Sequence, residues 1–312
     1  MPLFEQKQQH VHKNILAEKY IVNPFSILKR ASSAWKDRKH YWEDMGIASK
    51  EGRETKRYNA MPYNISAARD YNTEDTEHIS MFDPTLCELM YKWFSKEGDK
   101  ILDPFAGGSV RGIIASILGR NYIGIDLSQK QVIANWEQYD DMSKKYIKTG
   151  TASWISGDSE YALDKLDGTY QMLFTCPPYY NLEQYTRDVR DLSRQATYDA
   201  FLIKYTAILN KAFAKLDMNA GAFVVIVVSE IRNFKAGGEF YGLVPDTINI
   251  CRNAGLKYYN EIILEDPIGS LPLRGPQYFE QSRKVGRTHQ NVLVFYAGDL
   301  SKIREKCDSM NI

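Results

Sequence analysis

The 312-residue chain has four cysteines, and none of them forms a CxxC pair. Cys87, Cys176, Cys251 and Cys307 are spaced too widely for a zinc knuckle. So few thiols argue against a disulfide framework and fit a reducing cytoplasm. No apolar run approaches the roughly 20 residues that span a bilayer, and the opening MPLFEQKQQHVHKN is too polar for a signal peptide. Charge of one sign is also lacking: 40 basic side chains face 39 acidic ones, a net +1. Any surface for a polyanion must therefore be a local patch rather than a global field. A GxGxxG fingerprint, a GK[ST] phosphate loop, a helix-turn-helix and a zinc module are all missing. What is present is ordinary globular composition, 44% hydrophobic and 25% charged, which excludes wholesale disorder. The length suits one large α/β domain with additions, or two modest domains. The expectation is a soluble cytoplasmic protein without a metal site.

Residues 1–76 read as a basic N-terminal extension, mostly helical. Up to Asn59 it holds twelve Lys and Arg against seven acids, about +5, interleaved with Phe25, Trp35, Tyr41 and Trp42. Two readings fit: a basic arm touching phosphates, or an amphipathic helix tucked onto the main domain. From Asp83 helices and strands alternate. Pro84 opens TLCELMYKWF as a helix, and ILDPF reads as a short buried strand. VRGIIASILG is a helix with Gly119 at its C-terminal cap. NYIGIDL is a strand, followed by a helix capped by Ser128. TYQMLFTC, GAFVVIVVSEI, KYYNEIILE and NVLVFYAG are further strands, and YDAFLIKYTAILNKAFAKL and LVPDTINICRNAG further helices. Strands separated by helices predict a mostly parallel, doubly wound sheet covered on both faces, spanning 77–300, with 301–312 as a tail.

In such sheets ligands sit beyond the carboxyl ends of the strands. LDPFAGGSVRGIIA, residues 102–115, joins a strand end to a helix through Gly107 and Gly108, which permit a tight turn and close backbone approach to a ligand. With no phosphate cradle, this favours a ligand carrying adenosine but no pyrophosphate. Asp126, at the end of the next strand and 23 residues beyond Asp103, is placed to accept from ribose hydroxyls. Asp158, after the strand ending WIS, is placed to accept from an adenine amino group. Each acid alone is more often a helix cap; their order at successive strand ends points to one site. Thr175-Cys176-Pro177-Pro178-Tyr179-Tyr180 then follows QMLF. A Pro-Pro pair supplies no N–H and cannot continue a central strand, so it freezes a turn and fixes the carbonyls before it. Fixed carbonyls suit a substrate amino group, and neighbouring aromatics suit a flat base. A proline turn with core tyrosines is the blander reading.

With DPFAGG at 103–108 and CPPY at 176–179, the sequence resembles the amino-methyltransferases of DNA, which make N6-methyladenine or N4-methylcytosine from S-adenosylmethionine. It is similar in particular to phage and prophage DNA methylases, through segments 24–28, 78–128, 157–185 and 269–296. The resemblance implies a Rossmann-like methyltransferase fold and double-stranded DNA as partner. It implies cofactor binding by Ser80, Met81 and Phe82, by Asp103, Phe105, Ala106, Gly107, Gly108 and Ser109, and by Asp126, Leu127, Asp158 and Ser159. It implies catalysis by Cys176, Pro177, Pro178 and Tyr179 on a base flipped from the stack, adenine favoured over cytosine. The departure is Cys176, where the family has Asp, Asn or Ser; a thiol is a weak acceptor. Cys176 as a nucleophile on a pyrimidine ring is disfavoured, because that chemistry carries Pro-Cys and the thiol needs an activator.

For the nucleic acid, Tyr180 and Arg187 follow the catalytic turn. Arg187, Arg190 and Arg194 sit at helical spacing, read either as a basic face or as a helix salt-bridged through Asp188 and Asp191. The stretch 266–291 reads as a long irregular loop with Arg274, Arg283, Lys284, Arg287, Tyr278 and Phe279, and long loops in compact domains are usually functional. His289 reads as a loop-closing histidine. Two competing functions are a methylation-dead DNA-binding protein or accessory subunit, supported by Cys176 alone, and a methyltransferase of RNA or a small molecule.

Overall fold

In the computed structural model, residues 20–47, 57–58, 82–146, 149–233, 236–269 and 271–306 are described. Ser80, Met81 and Cys307 lie outside them. Eight strands form one sheet: β1 (Ile27–Lys29), β3 (Lys100–Asp103), β4 (Asn121–Asp126), β5 (Thr151–Ser156), β6 (Met172–Thr175), β8 (Ala222–Val228), β11 (Lys257–Glu265) and β12 (His289–Ala297). Their order is β1-β11-β12-β8-β6-β3-β4-β5. All pairings are parallel except those of β12, which runs against both neighbours. The pairs β2–β7 (Arg57–Tyr58, Glu183–Gln184) and β9–β10 (Arg232–Asn233, Glu239–Phe240) form small ribbons.

The central strands read as unbroken apolar runs because both faces are covered; every residue of β8, AFVVIVV, is buried. On one face Val225 and Val227 join a core with helices α1 (Ser33–Asp44), α2 (Pro84–Phe94), α3 (Val110–Ile117) and α4 (Gln129–Lys145). On the other, Val224, Ile226 and Val228 pack with short α5 (Ser159–Ala162), α6 (Tyr198–Phe213) and α7 (Leu243–Asn253). The starts of the helices follow local chemistry. Asp83 caps α2 with Pro84 in its first turn, and Ser128, Asp158 and Thr197 cap α4, α5 and α6. Gly119, past the end of α3, takes φ +80°, as the cap requires.

The chain runs outward from β3 to β4 and β5, then returns to β6 on the other side of β3. That reversal makes the carboxyl ends of β3 and β6 the switch point of the sheet, where a crevice must open. The basic segment after residue 20 is tied into the body. β1 extends the sheet, and α1 buries Trp35 and Trp42 while Arg38 holds Glu88 of α2 at 2.5 and 2.6 Å.

Two local expectations are corrected. Residues 266–291 are not irregular throughout: α8 spans Leu271–Ser282. Pro272, Gly275 and Pro276 all lie within it, because a first-turn proline sacrifices no bond and an interior one sacrifices a single bond. Conversely, residues 185–194 form no α-helix, only a 3₁₀ turn at Leu192–Arg194. Asp188 accepts from the Arg190 N–H, and Asp191 from the backbone and hydroxyls of Thr186 and Ser193. These side-chain bonds take the donors a helix would use.

Candidate active site

The two motifs meet at the ends of β3 and β6. The Thr175 hydroxyl donates to Asp103 Oδ1 at 2.6 Å, so the residue before Cys176 is pinned to the first residue of DPFAGG. Asp103 is fully buried and accepts three further bonds, from the Phe105 N–H (3.1 Å), Arg111 Nε (2.6 Å) and the Tyr122 hydroxyl (2.8 Å). All of its acceptor capacity is spent inside the protein, and it does not line the cavity. Arg111 completes the support: its other end donates to the Phe105 and Ala106 carbonyls at 2.7 and 2.9 Å, and it lies 4.5 Å over the Phe82 ring. An arginine in the first turn of an otherwise apolar helix, VRGIIASI, is the signal that sequence reasoning passed over. The turn closes through Gly107, whose φ of +52° is costly for any side chain. Ser109 sits beneath it, its hydroxyl donating to Gln138.

One cavity of about 450 Å³ opens between the motifs, within the range of small-molecule sites. Phe105–Gly108, Asp126, Leu127, Asp158 and Ser159 line one part of it, and Cys176–Tyr179 another. Phe82, Arg30, Arg190, Lys204 and Gln290 also reach it. Asp126 accepts from the Gly107 and Ser128 N–H groups, both at 2.8 Å. Burial outweighs those bonds and pushes its carboxyl up to about 6. Asp158 accepts from Lys204 Nζ at 2.8 Å, and Lys204 also holds the Arg190 carbonyl at 2.7 Å. The loop bearing Arg190 is thereby fastened beside Asp158. Ser159 donates to the Pro104 carbonyl at 2.6 Å. Arg30 spans Asp83 (3.0 Å) and Asp266 (2.5 Å), anchoring the N-terminal segment at the rim.

Cys176 is half-buried, and burial raises its thiol above the ordinary value despite the Arg111 charge. A neutral thiol fits neither a nucleophile nor a strong acceptor. Its sulfur lies 3.6 Å from the Tyr179 hydroxyl, which in turn lies 3.4 Å from Gln290 Oε1.

The residues read as nucleic-acid contacts scatter. Tyr180 is buried among Tyr198, Phe201 and Tyr241, with φ +46°, and does not line the cavity. Arg287 is a brace: it donates to Ser229, to the His289 carbonyl and to Asn291, and burial lowers its pKa. Lys284 reaches the Gly237 carbonyl at 2.8 Å. Arg187 and Arg283 are exposed, the latter 5.2 Å over the Phe279 ring. Arg274 lies on α8, and its side chain is outside the described residues.

A mostly parallel, doubly wound sheet with its cavity at this switch point is the Rossmann-like methyltransferase architecture. Residues 4–135 match the family described as DNA methylase, the N6/N4 type; the match takes in DPFAGG and ends before CPPY. Two curated relatives match shorter stretches. A type II methyltransferase, M.HinfI from Haemophilus influenzae, is 49% identical over 47 residues, 14% of this chain and 13% of its own. Another, M2.DpnII from Streptococcus pneumoniae, is 53% identical over 36 residues, 12% of this chain and 13% of its own. The matched stretch is thus a small part of either relative. Among solved structures, the Synechocystis PCC 6803 magnesium protoporphyrin IX methyltransferase aligns with a TM-score of 0.41 and 12% identity, over 64% of this chain and 74% of its own.

Proposed function

We propose that this chain transfers a methyl group from S-adenosylmethionine to the exocyclic amino group of a base flipped out of DNA, adenine N6 before cytosine N4. The observation that carries the proposal is the Thr175–Asp103 hydrogen bond, which locks the two motifs to the rim of one cavity. The DNA methylase match and the type II relatives support the substrate class.

The residues present fit the cofactor. Gly107 and Gly108 offer backbone without intruding side chains, Asp126 offers a carboxylate at the second strand end, and the cavity has room for an adenosine. Asp126 would hold the ribose and Asp158 the adenine edge, with Leu127 and Phe105 packing beside them. When bound, S-adenosylmethionine supplies an electrophilic methyl on a sulfonium.

The protein's part is to make a poor nucleophile attack. The lone pair of an aromatic amine is delocalised into the ring. The Pro177 carbonyl, held in direction by Pro178, would accept one N–H and draw the nitrogen towards a pyramidal shape with its lone pair exposed. Tyr179 would stack on the base, worth roughly 1–3 kcal/mol. Positioning of the two reactants in one enclosed space supplies the remaining acceleration.

The test is to incubate the protein with unmodified DNA and S-adenosylmethionine, digest to nucleosides and weigh the products. N6-methyladenine or N4-methylcytosine is expected, and the Cys176→Ser enzyme should form the same product. A ring-methylated cytosine, lost in Cys176→Ser, would instead establish a covalent route; unmodified nucleosides would refute transfer to DNA.

A further inference from the structure

We propose that Gln290 is the residue that selects an amino-bearing base. It stands in for the side-chain acceptor that Cys176 fails to supply; this rests on the function proposed above.

Every parallel strand delivers its last residues to the rim, but β12 runs the other way and delivers its first. Asn291 pairs with Val228, the final residue of β8, and Gln290 with Leu264, the penultimate residue of β11. Gln290 is therefore set at the rim by its own pairing with β11 and by its neighbour's pairing with β8, and it lines the cavity with Cys176, Pro177, Pro178 and Tyr179. Arg287 fixes the start of this strand by bonding Ser229, the His289 carbonyl and Asn291 at 2.9, 3.0 and 2.5 Å. An amide in that place is held on rigid backbone, as a selective contact needs.

Its present bonding leaves capacity to spare. Gln290 Oε1 lies 3.4 Å from the Tyr179 hydroxyl, and its amide nitrogen has no partner among the described residues. The Cys176–Tyr179 contact is 3.6 Å. Both are long, and Oε1 keeps a second lone pair for an arriving base edge.

The chemistry then picks the substrate class. An amide presents an acceptor beside a donor. The pairing edges of adenine and cytosine each present an amine donor beside a ring-nitrogen acceptor, the complement of that pair. Guanine and thymine present a carbonyl beside a ring N–H, which puts the donor and acceptor in the opposite order relative to the reacting position. The Tyr179 hydroxyl on Oε1 orients the amide, so Oε1 accepts from the amine on its second lone pair and the amide N–H meets the ring nitrogen; the other two bases fit only a turned-over amide that gives up that bond.

The test compares wild type, Gln290→Leu and the double variant Gln290→Leu/Cys176→Asn, with S-adenosylhomocysteine affinity by calorimetry, DNA affinity by fluorescence anisotropy and methyl transfer to DNA. For Gln290→Leu we expect transfer efficiency (kcat/KM) to fall roughly 10- to 100-fold, the discrimination of a good bidentate pair. DNA affinity should weaken, and S-adenosylhomocysteine affinity should stay within about twofold, because the cofactor part of the cavity is untouched. Adding Cys176→Asn should return a large share of the lost efficiency, which a merely structural role for Gln290 does not allow. Transfer by Gln290→Leu within about twofold of wild type overturns the assignment while leaving the proposed function intact. So does a loss that Cys176→Asn does not relieve. A wild-type protein that methylates no DNA overturns both.

Discussion

Part of the site is built from side chains that do not touch the ligand space. Asp103 is the clearest case: the motif's first residue is its most buried, and it joins Thr175, Arg111, Tyr122 and the Phe105 amide into one polar knot. Asp126, by contrast, lines the cavity, and its environment has a measurable consequence. Burial lifts its carboxyl from near 3.8 to about 6. Between those values the folded protein holds a proton that the unfolded chain has released. Its contribution to stability is therefore present at low pH and declines as pH rises through that window. In the proposed function cofactor binding runs in the opposite direction, because the ribose hydroxyl would donate to the ionised form. Affinity for S-adenosylhomocysteine should be flat above pH 7 and fall, by up to tenfold per pH unit, below about 6. Asp126→Asn should bind more weakly at pH 7.5 and lose the pH dependence. Calorimetric titrations at pH 5.0, 6.0 and 7.5 check both expectations, and a wild-type affinity that does not change over this range would refute them. From sequence, the acids at strand ends were visible. The distinction between a structural Asp103 and an accessible Asp126 was not, since it depends on partners 8, 19 and 72 residues away.

Among the elements, α3 shows how closely the helix after the 105–108 turn packs on its neighbours. Gly112 lies where a Cβ would come within 2.4 Å of Trp154 and 2.8 Å of Tyr122. In an exposed helix Gly→Ala gains up to about 1 kcal/mol in propensity. Here both neighbours are rigid rings, and overpacking of about 1–3 kcal/mol outweighs that gain. Gly112→Ala should lower the midpoint of urea unfolding, and an unchanged or higher midpoint would show that the helix lifts without strain. The elements most legible in the sequence were those with both pattern and cap. α2, with Asp83 and Pro84, and α4, with Ser128, start where the residues say. The errors fell where side chains compete with backbone. Asp188 and Asp191 tie residues 185–194 into turns that periodicity reads as helix. α8 forms despite two prolines, because their positions forfeit few bonds.

At the scale of the whole molecule, the order of strands brings residues 103 and 176 together. Alternating helices and strands announced a parallel sheet, but a sequence pattern does not state which strands are neighbours. That β6 returns to the side of β3 opposite β4, and that β12 reverses, are facts of long-range packing. The first puts DPFAGG and CPPY on one cavity; the second brings Gln290, which no local motif marks, to its rim. Balanced net charge conceals the surface outside this cavity, where Arg187 and Arg283 stand exposed. The central claim is that a single crevice receives both reactants. Its most direct test is a crystal structure of the protein with S-adenosylhomocysteine. The account predicts the ribose on Asp126, the adenine beside Asp158 and the sulfur facing the Cys176–Tyr179 turn. A ligand seated elsewhere, or one whose sulfur points away from that turn, would contradict it.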